Sequence, residues 1–325
     1  MIRPNVLRFM IAAIAVSAIP ASALELGDPA PPISVDWLRG GPLNLKDGKN
    51  KNVFVLHFWA TWCGPCRASL PSMTELQKKH KDKGLVVIGI NVGNESDEKV
   101  GNYLKEVGDK ADFPMALDKR EATANAYMLA LGVQGIPFSC VIDKDGVLAW
   151  HGSPFDGLNK VVEQCLAGTY NLKARRTLTD YFHAALDADR ADKPDDKTRL
   201  AQKTRQIGDN LLKIAANSPD VLDLLAWNIV TLPVLKTRDL DLALKAAKAA
   251  FDATQGKDPS IIDTYARVLW ETGNKAEALK QQRAAVALVK DEMLAEILKE
   301  SLKQYEDELK NNPPPASAPA SRAAG

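Results

Sequence analysis

The chain has 325 residues, which is enough for two ordinary domains. Hydrophobic residues make up 46% and charged residues 26%, so the composition is that of an ordinary globular protein and excludes collagen-like and wholly disordered classes. The formal net charge of +1 gives no indication of a nucleic acid or an anionic membrane surface as a partner.

The first 23 residues have the pattern of an export signal. Arg3 and Arg8 give it a positive start, residues 9–19 form an apolar run, and residues 21–23 fit an A-x-A cleavage site. The alternative is an uncleaved membrane anchor, but this run is shorter than the about 20 residues that span a bilayer. We therefore expect residues 1–23 to be a cleaved signal peptide and the protein to be periplasmic or otherwise exported, with an N-terminal anchor as the alternative.

Residues 24–170 alternate short apolar runs with helical patterns, which predicts a mixed α/β sheet with helices on both faces. Near-continuous apolar runs at 53–59 and 85–92 predict central strands that are buried on both faces. An Asp-Gly pair at 145–146 predicts a hairpin. Its two strands would be 138–142 and 147–151, and apolar residues at helical spacing occur over 66–80, 95–107, 120–131 and 158–166.

From residue 171 the strand-like runs disappear, and apolar residues at helical spacing continue to residue 310. This predicts an all-α domain over 171–310. The stretch 187–197 is charged and contains Pro194, so we expect a loop between helices there. Residues 311–325 are rich in Pro, Ala and Ser without periodicity, and we expect a disordered tail.

A weak internal repeat of small residues runs through the helical region. Residues 265–285, with a turn at Gly273-Asn274, resemble a tetratricopeptide repeat, but Gln282 stands where a bulky residue is usual and no proline closes the repeat. Two degenerate repeats are fewer than a free-standing array needs, so we expect this domain to lean on its neighbour. The resemblance also implies a groove that recruits a peptide or protein partner. The matching positions are Ala266, Leu269, Gly273, Ala278 and Ala285.

The sequence Cys63-Gly64-Pro65-Cys66 follows a predicted buried strand and opens a predicted helix. The unpaired N–H groups and the dipole of a helix start stabilise a thiolate, so we expect a lowered pKa at Cys63, which makes it the nucleophile. Cys66, one turn later, is placed to resolve a mixed disulfide. Gly64 and Pro65 keep the loop tight, and the missing N–H of Pro65 costs nothing in a first turn. The motif predicts dithiol–disulfide chemistry without a bound cofactor.

The run from Phe58 to Cys66, Phe-Trp-Ala-Thr-Trp-Cys-Gly-Pro-Cys, resembles the active site of thioredoxins and specifically of the exported TlpA/ResA-like disulfide reductases. The resemblance covers about 24–170. It implies a thioredoxin fold and a reductase that acts on protein disulfide clients and is kept reduced by a membrane thiol–disulfide electron donor. It further implies a cis peptide bond before Pro137, next to the cysteines, where Ile136 helps to hold a substrate chain. We expect Trp62 to provide an apolar docking surface.

Two positions depart from the family pattern. His57 stands where thioredoxins have a buried aspartate, and Ser69 stands where the TlpA/ResA-like group often has a glutamate. The resemblance implies that a carboxylate at these positions moves protons for the buried cysteine. His57 can take this role because histidine titrates nearest to neutral pH. The alternative is a buried, hydrogen-bonded histidine without a redox role.

The remaining cysteines and histidines leave further alternatives open. Cys140 and Cys165 can form a second disulfide, or they can stay two buried thiols that pack as small apolar side chains. We expect His80, His151 and His183 to be ordinary surface or loop residues, since they are isolated in the sequence. Two thiolates without nearby ligands make a poor metal site, so we predict no metal at Cys63 and Cys66.

Two other functions compete with disulfide reduction. A thiol peroxidase is one, because peroxiredoxins share this fold, but Ala60 stands where such an enzyme needs Thr or Ser and Thr61 is one place off. The other is a binding or scaffold module in which the helical domain recruits a client and the redox activity is secondary. Both cysteines and Pro137 are intact, which disfavours binding as the sole function.

Overall fold

The computed structural model describes residues 23–311, which divide into two compact units between Leu172 and Lys173. The predicted export signal lies outside the described residues except for Ala23, and so does the predicted tail except for Asn311, which still belongs to the last helix. Within residues 23–311, no helix combines the length and the apolar character that are needed to cross a membrane.

The first unit is built on a six-stranded mixed sheet. The strands are β1 (Asp36–Arg39), β2 (Val53–Trp59), β3 (Leu85–Asn91), β4 (Met115–Leu117), β5 (Phe138–Ile142) and β6 (Leu148–Gly152). Their order across the sheet is β1-β4-β3-β2-β5-β6. β2, β3 and β4 are parallel, whereas β1, β5 and β6 each pair antiparallel with a neighbour.

Two apolar clusters, one on each face of the sheet, hold this unit together. Alternate side chains of a strand point to opposite faces, so Val55 and Trp59 of β2 contact one cluster while Phe54 and Phe58 contact the other. Every residue of β2 is buried, as the apolar run predicted. The helices of this unit are α1 (Gly64–His80), α2 (Asp97–Val107), α3 (Ala122–Ala124), which continues into a π-helical turn at Asn125–Leu129, and α4 (Leu158–Ala167).

The second unit is entirely helical over its described residues. Its helices are α5 (Leu172–Arg190), α6 (Pro194–Ile214), α7 (Pro219–Thr231), α8 (Leu240–Ala253), α9 (Pro259–Glu271), α10 (Lys275–Leu288) and α11 (Glu292–Asn311). From α7 onward each helix packs against the next one in the chain. The predicted order, a mixed α/β domain followed by an all-α domain, is confirmed.

A loop between helices lies inside the predicted stretch 187–197, but it is shorter than predicted. α5 continues to Arg190 and α6 begins at Pro194, so the connection contains three residues. A proline is tolerated in the first turn of a helix, where its missing N–H has no partner to lose. Asp195 and Asp196 follow in that first turn, where negative charge is favoured by the helix dipole. The charge and the proline therefore mark a helix start.

The departure at Gln282 from the tetratricopeptide pattern has a structural explanation. Gln282 is fully buried, and its side-chain amide donates to Asp263 Oδ1 at 2.7 Å and to the carbonyl oxygen of Leu298 at 3.0 Å. These partners lie on α9 and α11, on either side of α10. Hydrogen bonds therefore join three helices where a bulky apolar side chain would pack.

Candidate active site

The two cysteines of the motif form a disulfide at the start of α1. Cys63 is the N-cap of this helix, and its Sγ accepts a hydrogen bond from the backbone N–H of Cys66 at 3.2 Å. Pro65 occupies the first turn, as predicted. Cys63 is 6% exposed and Cys66 is completely buried, so Cys63 is the sulfur that an incoming group reaches first. The helix start favours a negative charge on Cys63 once the disulfide is reduced.

The loop before β5 approaches this disulfide from the side. Sγ of Cys63 lies 3.8 Å from the carbonyl oxygen of Ile136, and the Ile136–Pro137 peptide bond is cis. A disulfide sulfur carries no proton, so this contact becomes a weak hydrogen bond only when Cys63 is a thiol. The loop thus presents a backbone polar group beside the nucleophilic sulfur.

His57 lies in the interior, on the same face of the sheet as α1. It is completely buried in the middle of β2 and makes contacts of 3.0 Å with two serine hydroxyls, Ser139 of β5 and Ser69 of α1. Burial lowers the pKa of His57 to about 4, because the apolar surroundings penalise the charged imidazolium. The imidazole is therefore neutral at neutral pH.

A carboxylate that no sequence pattern indicated supports the loop before Cys63. The Glu95 side chain is 3% exposed, and its Oε2 accepts hydrogen bonds from the backbone N–H of Thr61 at 2.8 Å and from the Asn91 amide at 3.0 Å. Its Oε1 accepts the Thr61 hydroxyl and pairs with Lys99 at 2.8 Å. Burial would raise the pKa of Glu95, but the hydrogen bonds from Asn91, Lys99 and Thr61 outweigh it and lower the pKa to about 2. The segment that carries Cys63 is thus anchored to a charged group.

Trp62 provides exposed apolar surface beside the disulfide. It directly precedes Cys63 and is 64% exposed, with its indole N–H aimed at the carbonyl oxygen of Gly93 at 3.5 Å. Gly93 packs so closely that an added Cβ would lie 2.7 Å from Glu95 Oε2 and 2.8 Å from the Ala60 Cβ. Trp59, in contrast, is fully buried and packs in the core.

The structure contains no disulfide between Cys140 and Cys165, and both residues are buried. Cys140 belongs to the apolar cluster on one face of the sheet and Cys165 to the cluster on the other face, so the alternative of a disulfide between them is wrong. Burial raises the pKa of the Cys140 thiol well above its usual value. Of the two alternatives, the structure has the pair of buried thiols.

Two of the three remaining histidines are not the surface residues that we expected. His80 is 3% exposed at the end of α1, and its Nε2 lies 3.5 Å from Glu163 of α4. His151 is partly buried on β6, and burial lowers its pKa to about 4. His183 is exposed, as expected. None of the three contacts the cysteine pair through a hydrogen bond in the described part of the chain. A cluster of His, Cys, Asp or Glu that could hold a metal is likewise absent from residues 23–311.

The predicted site residues thus lie at one end of the sheet, around the start of α1. Cys63, Cys66 and Ile136 come together directly, and His57 is linked to Cys66 through Ser69, whose hydroxyl donates to the Cys66 carbonyl oxygen at 2.8 Å. Three further predicted residues adjoin the disulfide in the sequence, namely Trp62, Gly64 and Pro65. Pro137 follows Ile136 in the loop that contacts Cys63.

Comparison with known proteins agrees with this arrangement. Residues 25–163 match the model of the Redoxin family. Thiol-disulfide oxidoreductase ResA of Bacillus thuringiensis (strain Al Hakam) is 42% identical over 123 residues, which are 38% of this chain and 66% of that protein. Thioredoxin-like protein YneN of Bacillus subtilis (strain 168) is 36% identical over 127 residues, 38% of this chain and 69% of that protein. The chain spans about two thirds of the length of the curated relatives that it matches.

A solved structure from Chlorobium tepidum TLS, a thiol:disulfide interchange protein of the thioredoxin family, is 31% identical. It covers 42% of this chain and 95% of its own, with a TM-score of 0.38. The class of the protein is that of thioredoxin-like proteins with a Cys-x-x-Cys disulfide. Within this class, the chain belongs to the Redoxin family of thiol–disulfide oxidoreductases, and its thioredoxin-like α/β domain is followed by a helical region.

Proposed function

We propose that this protein is an exported thiol–disulfide oxidoreductase that reduces disulfides in client proteins. The observation that carries the proposal is the Cys63–Cys66 disulfide at the start of α1, with the more accessible cysteine at the N-cap. Helix starts stabilise thiolates, and the thiolate is the form that attacks disulfides. The family to which the chain belongs carries out the same class of reaction.

In the proposed reaction, the Cys63 thiolate attacks one sulfur of a client disulfide. A Cys63–client disulfide forms, and the other client sulfur leaves as a thiolate. Cys66 then attacks Cys63 Sγ, which forms the Cys63–Cys66 disulfide and releases the second client sulfur. The client gains two electrons and two protons, and the protein is left oxidised, as it is in the structure. A further thiol donor must then reduce it.

The surface around Cys63 supports a polypeptide as the client. Trp62 offers exposed apolar area, and the carbonyl oxygen of Ile136 offers a hydrogen-bond acceptor for an extended backbone. A backbone acceptor beside an apolar patch suits a polypeptide whose side chains vary. We assign Pro137 to the same subsite, because it shapes the loop that presents Ile136.

The direction and the location of the reaction are further parts of the proposal. Gly64-Pro65 is the dipeptide of reducing thioredoxins, which favours a reductase. Residues 1–23 have the pattern of an export signal, which favours a periplasmic or similar location. Because disulfides persist outside the cytosol, a reductase there needs electrons from a membrane thiol–disulfide donor.

The helical region has a proposed role in recruiting a partner, because residues 265–285 resemble a tetratricopeptide repeat in sequence and consecutive helices pack on one another from α7 onward. This resemblance also supports the second candidate, a binding module with secondary redox activity. The full chain and a chain that ends at Leu172 separate the two, since the first unit is compact by itself. Equal client turnover by both would argue against recruitment. The binding module would be favoured by two results together: Cys63→Ser still binds the client, and the native protein does not reduce it.

A redox titration with thiol trapping tests the direction. A potential near or below about −250 mV supports a reductase, whereas a value near about −120 mV would make the protein an oxidant. The assignment of the two cysteines has its own test. Cys66→Ser should accumulate covalent client complexes that thiols release, and Cys63→Ser should accumulate none.

A further inference from the structure

A four-residue turn, residues 60–63, leads the chain from β2 into the cysteine pair, and we call it the Cys63 turn. The backbone N–H of Cys63 donates to the carbonyl oxygen of Ala60 at 3.3 Å, which closes the turn. Thr61 and Trp62 are its two central residues. The direction of the Trp62 side chain relative to Cys63 therefore depends on how these two residues are held.

The loop between β3 and α2, residues 92–96, holds both central residues of the Cys63 turn. Glu95 accepts hydrogen bonds from the backbone N–H and from the hydroxyl of Thr61, so Thr61 is fixed through its main chain and its side chain together. The indole N–H of Trp62 is directed at the carbonyl oxygen of Gly93 at 3.5 Å. A Cβ on Gly93 would lie 3.0 Å from the indole nitrogen, so the indole rests against bare backbone.

The end of β3 fixes this loop in turn. Asn91 Oδ1 accepts the backbone N–H of Gly93 at 3.0 Å, and the Asn91 amide donates to Glu95 Oε2 at 3.0 Å. The backbone N–H of Val92 donates to the carbonyl oxygen of Trp59 at 2.9 Å, which continues the pairing of β3 with β2 into the loop. The loop is thus a fixed support for the Cys63 turn.

Trp62 is a fixed aromatic side chain that is nevertheless 64% exposed. A ring that is held in place before binding loses little conformational freedom when a partner packs on it, and Trp is frequent among the residues that dominate binding energy. On Cys63 itself, the carbonyl oxygen of Ile136 lies 3.8 Å from Sγ and offers an acceptor to an extended backbone. An extended polypeptide with an apolar residue beside its reacting cysteine fits both features.

This inference rests on the proposed function and concerns the choice of client in its first step. We propose that Glu95 is a positioning residue for polypeptide clients, because it fixes the Cys63 turn so that Trp62 packs on the apolar residue beside the client's reacting cysteine. Its own hydrogen bonds go to Thr61, Asn91 and Lys99. It acts through the turn and not on a sulfur.

The chemistry of the first step requires no proton from Glu95. The Cys63 thiolate bonds to one client sulfur, the client S–S bond breaks, and the other sulfur leaves as a thiolate with the electron pair. Burial opposes the charge of the carboxylate, but the hydrogen bonds that it accepts prevail and hold the pKa of Glu95 at about 2. Glu95 therefore stays charged near neutral pH, and its effect is expected on the binding of the client chain.

Two mixed disulfides with the same leaving group isolate the contribution of the client chain. Each joins a coloured aromatic thiol to a cysteine, which is a single blocked residue in one probe and lies beside leucine in a short extended peptide in the other. The aromatic thiol has the lower pKa and leaves first, so colour reports attack by Cys63 of the reduced full-length protein. The ratio of the two second-order rate constants is the peptide preference.

We expect the native protein to react about tenfold faster with the peptide probe, and Glu95→Gln to react at nearly equal rates with both probes. The rate with the single-residue probe should not change. Trp62→Ala should lose the peptide preference to a similar extent, and the double variant should lose no more, because the two residues act through one contact. Glu98→Gln is the matched control, since it removes the same charge from an exposed position in the first turn of α2 and should leave both rates unchanged.

A folded Glu95→Gln protein that keeps the native peptide preference overturns the proposal. An equal loss of rate with both probes does so too, because Glu95 would then act on the sulfur, and so does a native protein that reacts equally with both. Should Glu95→Gln not fold, Thr61→Val decides, since it keeps the size of the side chain and removes the hydroxyl that Glu95 binds; an undiminished preference again rejects the proposal. A native protein that releases no coloured thiol from either probe contradicts the proposed function itself.

Discussion

Replacement of Glu95 by glutamine tests whether a charged carboxylate holds the segment before Cys63. Glu95→Gln keeps the shape of the side chain, but its amide has one oxygen acceptor for the donors of Thr61, Asn91 and Lys99. The pKa of Glu95 falls from 4.5 to about 2 in the folded protein. A difference of this size corresponds to at most about 3 kcal/mol of folding free energy.

The sign of the pH effect follows from the lowered pKa. The stabilisation by Glu95 is fully present above the unfolded pKa of 4.5, and it is lost as the pH falls toward about 2. Native protein and Glu95→Gln should therefore differ most near neutral pH and converge in acid. Urea unfolding of the oxidised protein, followed by the reaction of Cys140 with a pyridyl disulfide, reports on the first unit alone. A difference in unfolding free energy that stays constant from neutral pH to about pH 3 would refute the reasoning.

Three further predictions concern packing and buried polar groups. Gly93→Ala places a Cβ 2.7 Å from Glu95 Oε2 and should slow the attack of Cys63 on a disulfide substrate. Gly101→Ala is the control, because the space around this residue of α2 is open. It should stabilise the folded protein by about 1 kcal/mol and leave the rate of attack unchanged. Asp220→Asn weakens the buried ion pair with Arg175 and should cost about 3 kcal/mol in thermal unfolding of the helical unit. Gln282→Ala should cost about 2 kcal/mol by the same measurement. Equal melting temperatures would contradict the last two.

Local patterns were sufficient to predict the four strands β2, β3, β5 and β6 and the start of α1, whereas the short strands β1 and β4 were not predicted. β2 is a run of seven apolar or histidine residues, and such a run has one stable place in a sheet that is covered on both faces. Cys63 and Cys66 lie within one turn of each other, so their proximity follows from sequence distance. The same holds for the hairpin of β5 and β6 at Asp145-Gly146.

Contacts between distant parts of the chain could not be predicted in this way. Glu95 binds Thr61 across 34 residues, and a glutamate between two other polar residues has no pattern of its own. His80 is buried because α4 covers the end of α1, which depends on how the helices pack. The predicted limits of the loop before α6 were wrong for a different reason. Pro194 and the acidic residues after it are also typical of a helix start. A proline followed by two acidic residues is itself a signal of a helix N-terminus, and it marks that boundary.

The separation of Cys140 and Cys165 by the full thickness of the sheet has a consequence for measurements on this protein. Neither residue can exchange with Cys63 or Cys66 without unfolding of the first unit, because both are buried. Cys140 and Cys165, two of the four cysteines, therefore report in mass spectrometry whether the first unit was folded when a thiol reagent was added. In a folded sample, a thiol reagent modifies Cys63 and Cys66 or no cysteine at all. Modification of Cys140 identifies molecules in which the first unit had unfolded.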